Sequence, residues 1–99
     1  MLNINKIIEN EELTIKLEGR LDTSSAPALE AELKDSLDGV NSLIMDFEKV
    51  EYISSAGLRV LLLALKLMRG NGQMKVVHVN DLVQEVFDVT GFADMLTIE

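Results

Sequence analysis

Tyr52-Ile53-Ser54-Ser55-Ala56-Gly57-Leu58 joins two segments of different periodicity, and its reading decides the fold. Before it, Ser42 to Phe47 is short and almost continuously apolar, prolonged by Val50 and Tyr52, which is the pattern of a buried strand. After it, Ala56 to Arg69 is apolar nearly all round, with Arg59, Lys66 and Arg69 its only charges, the pattern of a helix buried on most of its surface. Two hydroxyls stand where a helix N-cap belongs. A cap serine accepts a hydrogen bond from a backbone N–H two or three residues on. The same place favours an anion, because unpaired N–H groups and the positive end of the helix dipole point at it.

Working outward, Gly70-Asn71-Gly72 stops the helix with residues that accept left-handed backbone angles, and Met74 to Val79 reads as another strand. Asn80-Asp81 caps a third helix whose apolar face is Leu82, Val83, Val86 and Phe87. Thr90-Gly91 closes it, and Met95-Leu96-Thr97-Ile98 supplies a final short strand. Upstream, Ile4 to Ile8 and Leu13 to Leu17 alternate apolar with polar around the turn Glu9-Asn10-Glu11-Glu12, an antiparallel hairpin. Gly19 to Ser25 leads into Ala26-Pro27 and then Leu29, Leu33 and Leu37 at spacing four, an amphipathic helix with a Ser or Thr cap that Gly39 ends. The predicted order is β-β-α-β-α-β-α-β, a single α/β domain over residues 1–99. Helices between strands imply parallel pairing, so a mixed sheet of four or five strands is expected, with helices largely on one face. Loops after strand ends gather at one edge of such sheets. The Arg20-Leu21-Asp22-Thr23 loop also follows a strand, so Asp22 is expected beside the Ser54-Ser55 loop.

Ninety-nine residues at 47% hydrophobic composition support one small core. A net charge of −8, from 17 acids and 9 bases, argues against a nucleic-acid surface. With no cysteine, disulfides, thiol chemistry and Cys-ligated zinc are excluded. Met1 to Lys6 lacks the apolar core of a signal peptide, and the longest apolar tract, Val60 to Leu65, is far short of a membrane span. A cytoplasmic protein, monomeric when free, is expected.

Ser55 has two readings: a plain helix cap, or a phosphoacceptor with Ser54 as support and Gly57-Leu58 in a small docking surface. A glycine in the first turn of a strong helix costs roughly 1 kcal/mol against alanine and signals close approach by another backbone or a partner. A serine nucleophile finds no support. The hydrolase elbow needs glycine where Ile53 stands, and no Asp or Glu lies between Ser55 and the single histidine, His78. Asp22 reads either as a turn residue or as a polar neighbour of the serine loop. Asp46 and Glu48 are too thin a pattern for metal or acid–base work, His78 reads as structural, and Gly70-Asn71-Gly72 is no phosphate loop.

Leu17-Glu18-Gly19-Arg20-Leu21-Asp22, Asp46-Phe47 with Val50 leading into Tyr52 to Leu58, and Phe87-Asp88-Val89-Thr90-Gly91-Phe92 together resemble the STAS domain family, specifically the small bacterial anti-sigma factor antagonists. The resemblance implies partner switching. The unmodified antagonist binds an anti-sigma factor, itself a serine kinase holding ATP, and frees the sigma factor. The kinase then phosphorylates one antagonist serine, and a PP2C-type serine phosphatase reverses it. The family's usual motif is Asp-Ser-Ser/Thr-Gly-Leu, with the acceptor directly after the aspartate; aligned on Gly57-Leu58, the acceptor is Ser55. Asp22, Thr23, Ser54, Ser55, Ala56, Gly57, Leu58 and Arg59 are then the expected partner-binding residues. The resemblance implies no catalysis, cofactor or metal. Ser54 replaces the usual aspartate and Ala56 the usual Ser or Thr. The missing aspartate also supports an alternative, an unphosphorylated STAS adaptor subunit of a transport or other regulatory complex.

Overall fold

Five buried apolar residues set the central strand: Leu43, Met45, Phe47, Val50 and Ile53. The last two fall three residues apart, whereas a regular strand returns to one face every second residue. Pairing resolves the mismatch. In the computed structural model, which describes residues 2–99, β2 (Glu12–Leu21) and β3 (Ser42–Ile53) run parallel. Their register slips between Lys16 and Glu18, and again between Gly19 and Arg20. Each slip sets one extra residue on β3, a bulge that keeps Val50 and then Ile53 turned inward.

The sheet has the order β1-β2-β3-β4. β1 (Asn3–Glu9) is antiparallel to β2 through a tight turn in which Asn10 and Glu11 both take positive φ, as a two-residue hairpin requires. β4 (Gln73–Val77) is parallel to β3. In register, Leu13, Leu43 and Met74 share one face with Ile15, Met45 and Val76, and all six are buried. Three helices supply the rest of that core: α1 (Ala26–Ser36) gives Leu29 and Leu33, α2 (Ser55–Met68) gives Leu61 and Ala64, and α3 (Asp81–Thr90) gives Val83 and Phe87. The Phe47 and Phe87 rings lie 6.2 Å apart and tilted, within the favourable range for aromatic pairs. The mixed α/β sheet expected from the sequence is the one observed.

Several boundaries differ. The expected last strand is reduced to a single parallel bridge between Val76 and Ile98. Gly91, left-handed at φ 83°, ends α3 and starts a short helix, α4 (Phe92–Met95), which uses up the residues a strand would need. α1 stops at Ser36, with Leu37 rather than Gly39 at its C-cap. β4 stops at Val77, because His78 takes φ 59° and turns the chain out of the sheet. Leu82, expected on the buried face of α3, is 51% exposed, since the Asn80 cap starts the helix in the phase that turns Val83 and Phe87 inward. Among the described residues, no helix is long and apolar enough to cross a membrane.

Candidate functional site

β2 and β3 point the same way, so the loops after them meet at one edge of the sheet. Leu21 pairs with Ile53, and the Leu21 carbonyl accepts the Ser54 N–H at 2.9 Å. Asp22 and Ser54 therefore leave the sheet side by side. The neighbourhood expected from loop order is present.

At the second loop, Ser54 is extended (φ −98°, ψ 177°) and performs the capping. Its hydroxyl oxygen accepts the Gly57 N–H at 3.5 Å and its carbonyl accepts the Leu58 N–H at 2.9 Å. Ser55 is thereby the first helical residue and not the cap. It is exposed, and among the described residues none hydrogen-bonds its hydroxyl. Arg59 follows one turn later on the same side of α2, also exposed and, among the described residues, in no ion pair. Ala56 is half-buried.

Gly57 and Leu58, expected at a docking surface, are buried. A Cβ on Gly57 would lie 2.7 Å from Leu21 Cγ and 2.8 Å from Ile53 Cγ1. The glycine is there to let α2 sit directly on the ends of β2 and β3. It sets the height of Ser55 above the sheet from below, through the chain's own core.

At the first loop, Asp22 organises everything. Its Oδ1 accepts the Ser24 N–H at 3.1 Å, the Ser24 hydroxyl at 2.8 Å and the Ser25 N–H at 3.2 Å. The Ser24 hydroxyl does most to hold this carboxylate below its usual range; burial opposes it, and the Ser25 and Ser24 N–H groups tip the balance downward. Ser25 is buried and donates to the Arg20 carbonyl at 2.7 Å while accepting the Asp22 N–H at 2.9 Å. The capping serine of α1 thus makes no side-chain bond to its own helix. Thr23 is exposed at the tip of this turn.

Sequence reasoning missed two arrangements. Arg20 and Tyr52 are opposite each other in register, and the guanidinium lies 4.7 Å from the ring centroid while its Nε sits 3.7 Å from Asp22. Only the two bulges bring position 20 level with position 52. The second is on the sheet face away from the helices, where His78 Nδ1 meets Asp46 Oδ1 at 3.0 Å and Glu48 comes within 4.8 Å of both. The Asp46 hydrogen bond raises the His78 pKa. Burial pushes Asp46 up, but the His78 and Glu48 N–H hydrogen bonds outweigh it and hold the carboxylate low. These contacts account for the cluster as a strap between β3 and the turn after β4.

The STAS domain family matches residues 3–99. BtrV of Bordetella bronchiseptica, assigned as an anti-sigma factor antagonist, is 37% identical over 84 residues, 83% of this chain and 72% of that protein. The anti-sigma-B factor antagonist of Staphylococcus aureus is 28% identical over 99 residues, 98% of this chain and 92% of that protein. Among solved structures, the Bacillus cell fate determinant SpoIIAA in its phosphorylated form superposes with a TM-score of 0.75 at 18% identity, over 100% of this chain and 91% of that one. A match running from the first strand to the last residue, beside a relative 37% identical over most of this chain, places this chain in the STAS domain family.

Proposed function

We propose that this protein is an anti-sigma factor antagonist switched by phosphorylation of Ser55. The observation that carries the reading is the division of labour between the two serines: Ser54 takes the cap, so the Ser55 hydroxyl stands exposed, with no hydrogen-bond partner among the described residues. Unmodified, the surface of Thr23, Ser55 and Arg59 docks onto an anti-sigma factor in the cytoplasm and releases its sigma factor. The anti-sigma factor, acting as a serine kinase, then moves the γ-phosphoryl of its ATP onto Ser55 Oγ. One P–O bond forms as the bond to ADP breaks, and the hydroxyl proton is lost. A PP2C-type phosphatase restores the hydroxyl by hydrolysis. The chain itself is a binding module without catalysis.

The physics of the switch is local. A phosphate at the first residue of α2 lies at the positive end of the helix dipole, so the fold tolerates it. At an interface the same dianion loses its water and meets any carboxylate or nucleotide phosphate of the partner. A penalty of about 3–4 kcal/mol weakens binding several hundredfold. The names of the matched relatives support the antagonist role, and the phosphorylated form of SpoIIAA is a fold neighbour that carries such a modification.

Incubation with a purified anti-sigma factor kinase and ATP, followed by mass spectrometry, tests this. Phosphate on Ser55 and loss of the complex are expected. Ser54 in place of the usual aspartate favours a second reading, a constitutive adaptor; retention of the complex with Ser55 unmodified would select it.

A further inference from the structure

The first turns of α1 and α2 do not close against each other. Beside Ser55 they leave a cleft of about 170 Å³. Buried Ala26 and Val60 lie deepest in its lining, Pro27 and half-buried Ala56 are nearer the surface, and Glu30 and Arg59 supply its charges. Small side chains create this space: a longer residue at position 56 would fill it. Its two charges are not equivalent. Glu30 is already held by Lys34 at 3.0 Å, whereas Arg59 pairs with nothing among the described residues. The cleft thus has an apolar floor with Thr23 also in its lining, and Arg59 is its one cation left unpaired among the described residues.

We propose that this cleft takes an apolar side chain of the anti-sigma factor, with a neighbouring partner carboxylate paired to Arg59. The proposal rests on the function given above and names the contact through which it works. A cleft of this size, desolvated by one inserted side chain and rimmed by an arginine, has the make-up of an interface hot spot. It also explains how the phosphate reaches beyond its own charge. Ser55 and Arg59 are four apart on α2, so a phosphate on Ser55 draws the guanidinium into a charge-assisted pair within the chain. Arg59 is then withdrawn from the partner at the moment the partner is repelled.

The test measures affinity for the anti-sigma factor kinase of the phosphorylation assay by isothermal titration calorimetry. Ala56→Leu fills the cleft without touching Ser55 and is expected to weaken binding by about fiftyfold or more, while Ala56→Ser stays within about threefold. Arg59→Ala, on an exposed side chain that cannot disturb the core, is expected to cost about tenfold. It carries the test by itself if Ala56→Leu melts early. Ser55→Asp serves as the control. If it abolishes binding while Ala56→Leu and Arg59→Ala bind like the wild type, the cleft is refuted and the phosphoswitch stands. If Ser55→Asp binds like the wild type, the phosphoswitch reading fails, and the cleft proposal falls with it.

Discussion

Two strand-to-helix junctions lie side by side in this protein, each carrying a pair of adjacent serines, and they spend them differently. After β2, the Asp22 carboxylate collects the Ser24 hydroxyl and the two following N–H groups, and Ser25 is buried against the Arg20 carbonyl. Both hydroxyls are consumed. After β3 no aspartate stands in the loop, so Ser54 must accept the Gly57 N–H itself, and Ser55 is left exposed. A serine pair is therefore neither a structural nor a regulatory signal by itself. What decides is whether another acceptor relieves the pair of capping, and which of the two then faces the core.

Breaking the contrast at its most exposed point has the largest effect. Ser55→Asp is expected to weaken anti-sigma factor binding several hundredfold, about 3–4 kcal/mol, with Tm nearly unchanged. Calorimetric titration beside a thermal melt checks both halves, and a large fall in Tm would return Ser55 to a structural role. Gly57→Ala attacks what holds the exposed serine up. Its Cβ has no room against Leu21 and Ile53, so a loss of about 1–3 kcal/mol is expected in urea unfolding.

Ser25→Ala and Ser55→Ala sharpen the comparison directly. The first removes the buried Ser25 hydroxyl that donates to the Arg20 carbonyl at 2.7 Å and is expected to cost about 1–2 kcal/mol. The second is expected to stay within about 0.5 kcal/mol. Equal losses in the two unfolding curves would show that the junctions are alike after all.

The smallest effect is one of pH. The raised His78 pKa contributes stability that is fully present below its ordinary value of 6.5 and is lost as pH rises through the raised one. The lowered Asp46 contributes above its ordinary 3.8 and loses it as pH falls through the lowered value. Their contact is thus strongest between roughly pH 4 and 6.5. Because the imidazole is well exposed, the wild type should gain only slightly in Tm over His78→Gln on moving from pH 8 to pH 5.5.

Much of this was legible beforehand. The alternation in Leu13 to Leu17, the apolar run from Ser42 and the nearly charge-free helix after Ser55 each state a local period, and the period follows from backbone geometry alone. The STAS pattern at Tyr52 to Leu58 fell, as read, on the junction between β3 and α2. Less legible was the end of the chain, where Gly91 and the short helix after it take residues that alternate like a strand. The roles of Gly57 and Leu58 were hidden too. A glycine in a first turn reports close approach, but not whether the approaching atoms belong to a partner or, as here, to Leu21 and Ile53.

The amino-acid sequence by itself determined the element types up to the third helix, the parallel crossovers, the acidic balance and the place of the serine pair, because each of these rests on short-range periodicity, turn chemistry or composition. The tertiary structure decided which serine is free. That outcome depends on the Leu21 carbonyl taking the Ser54 N–H, on two bulges bringing Ile53 level with Leu21, and on a cleft left between two helices. Such facts join residues more than thirty positions apart, and no local pattern can encode them.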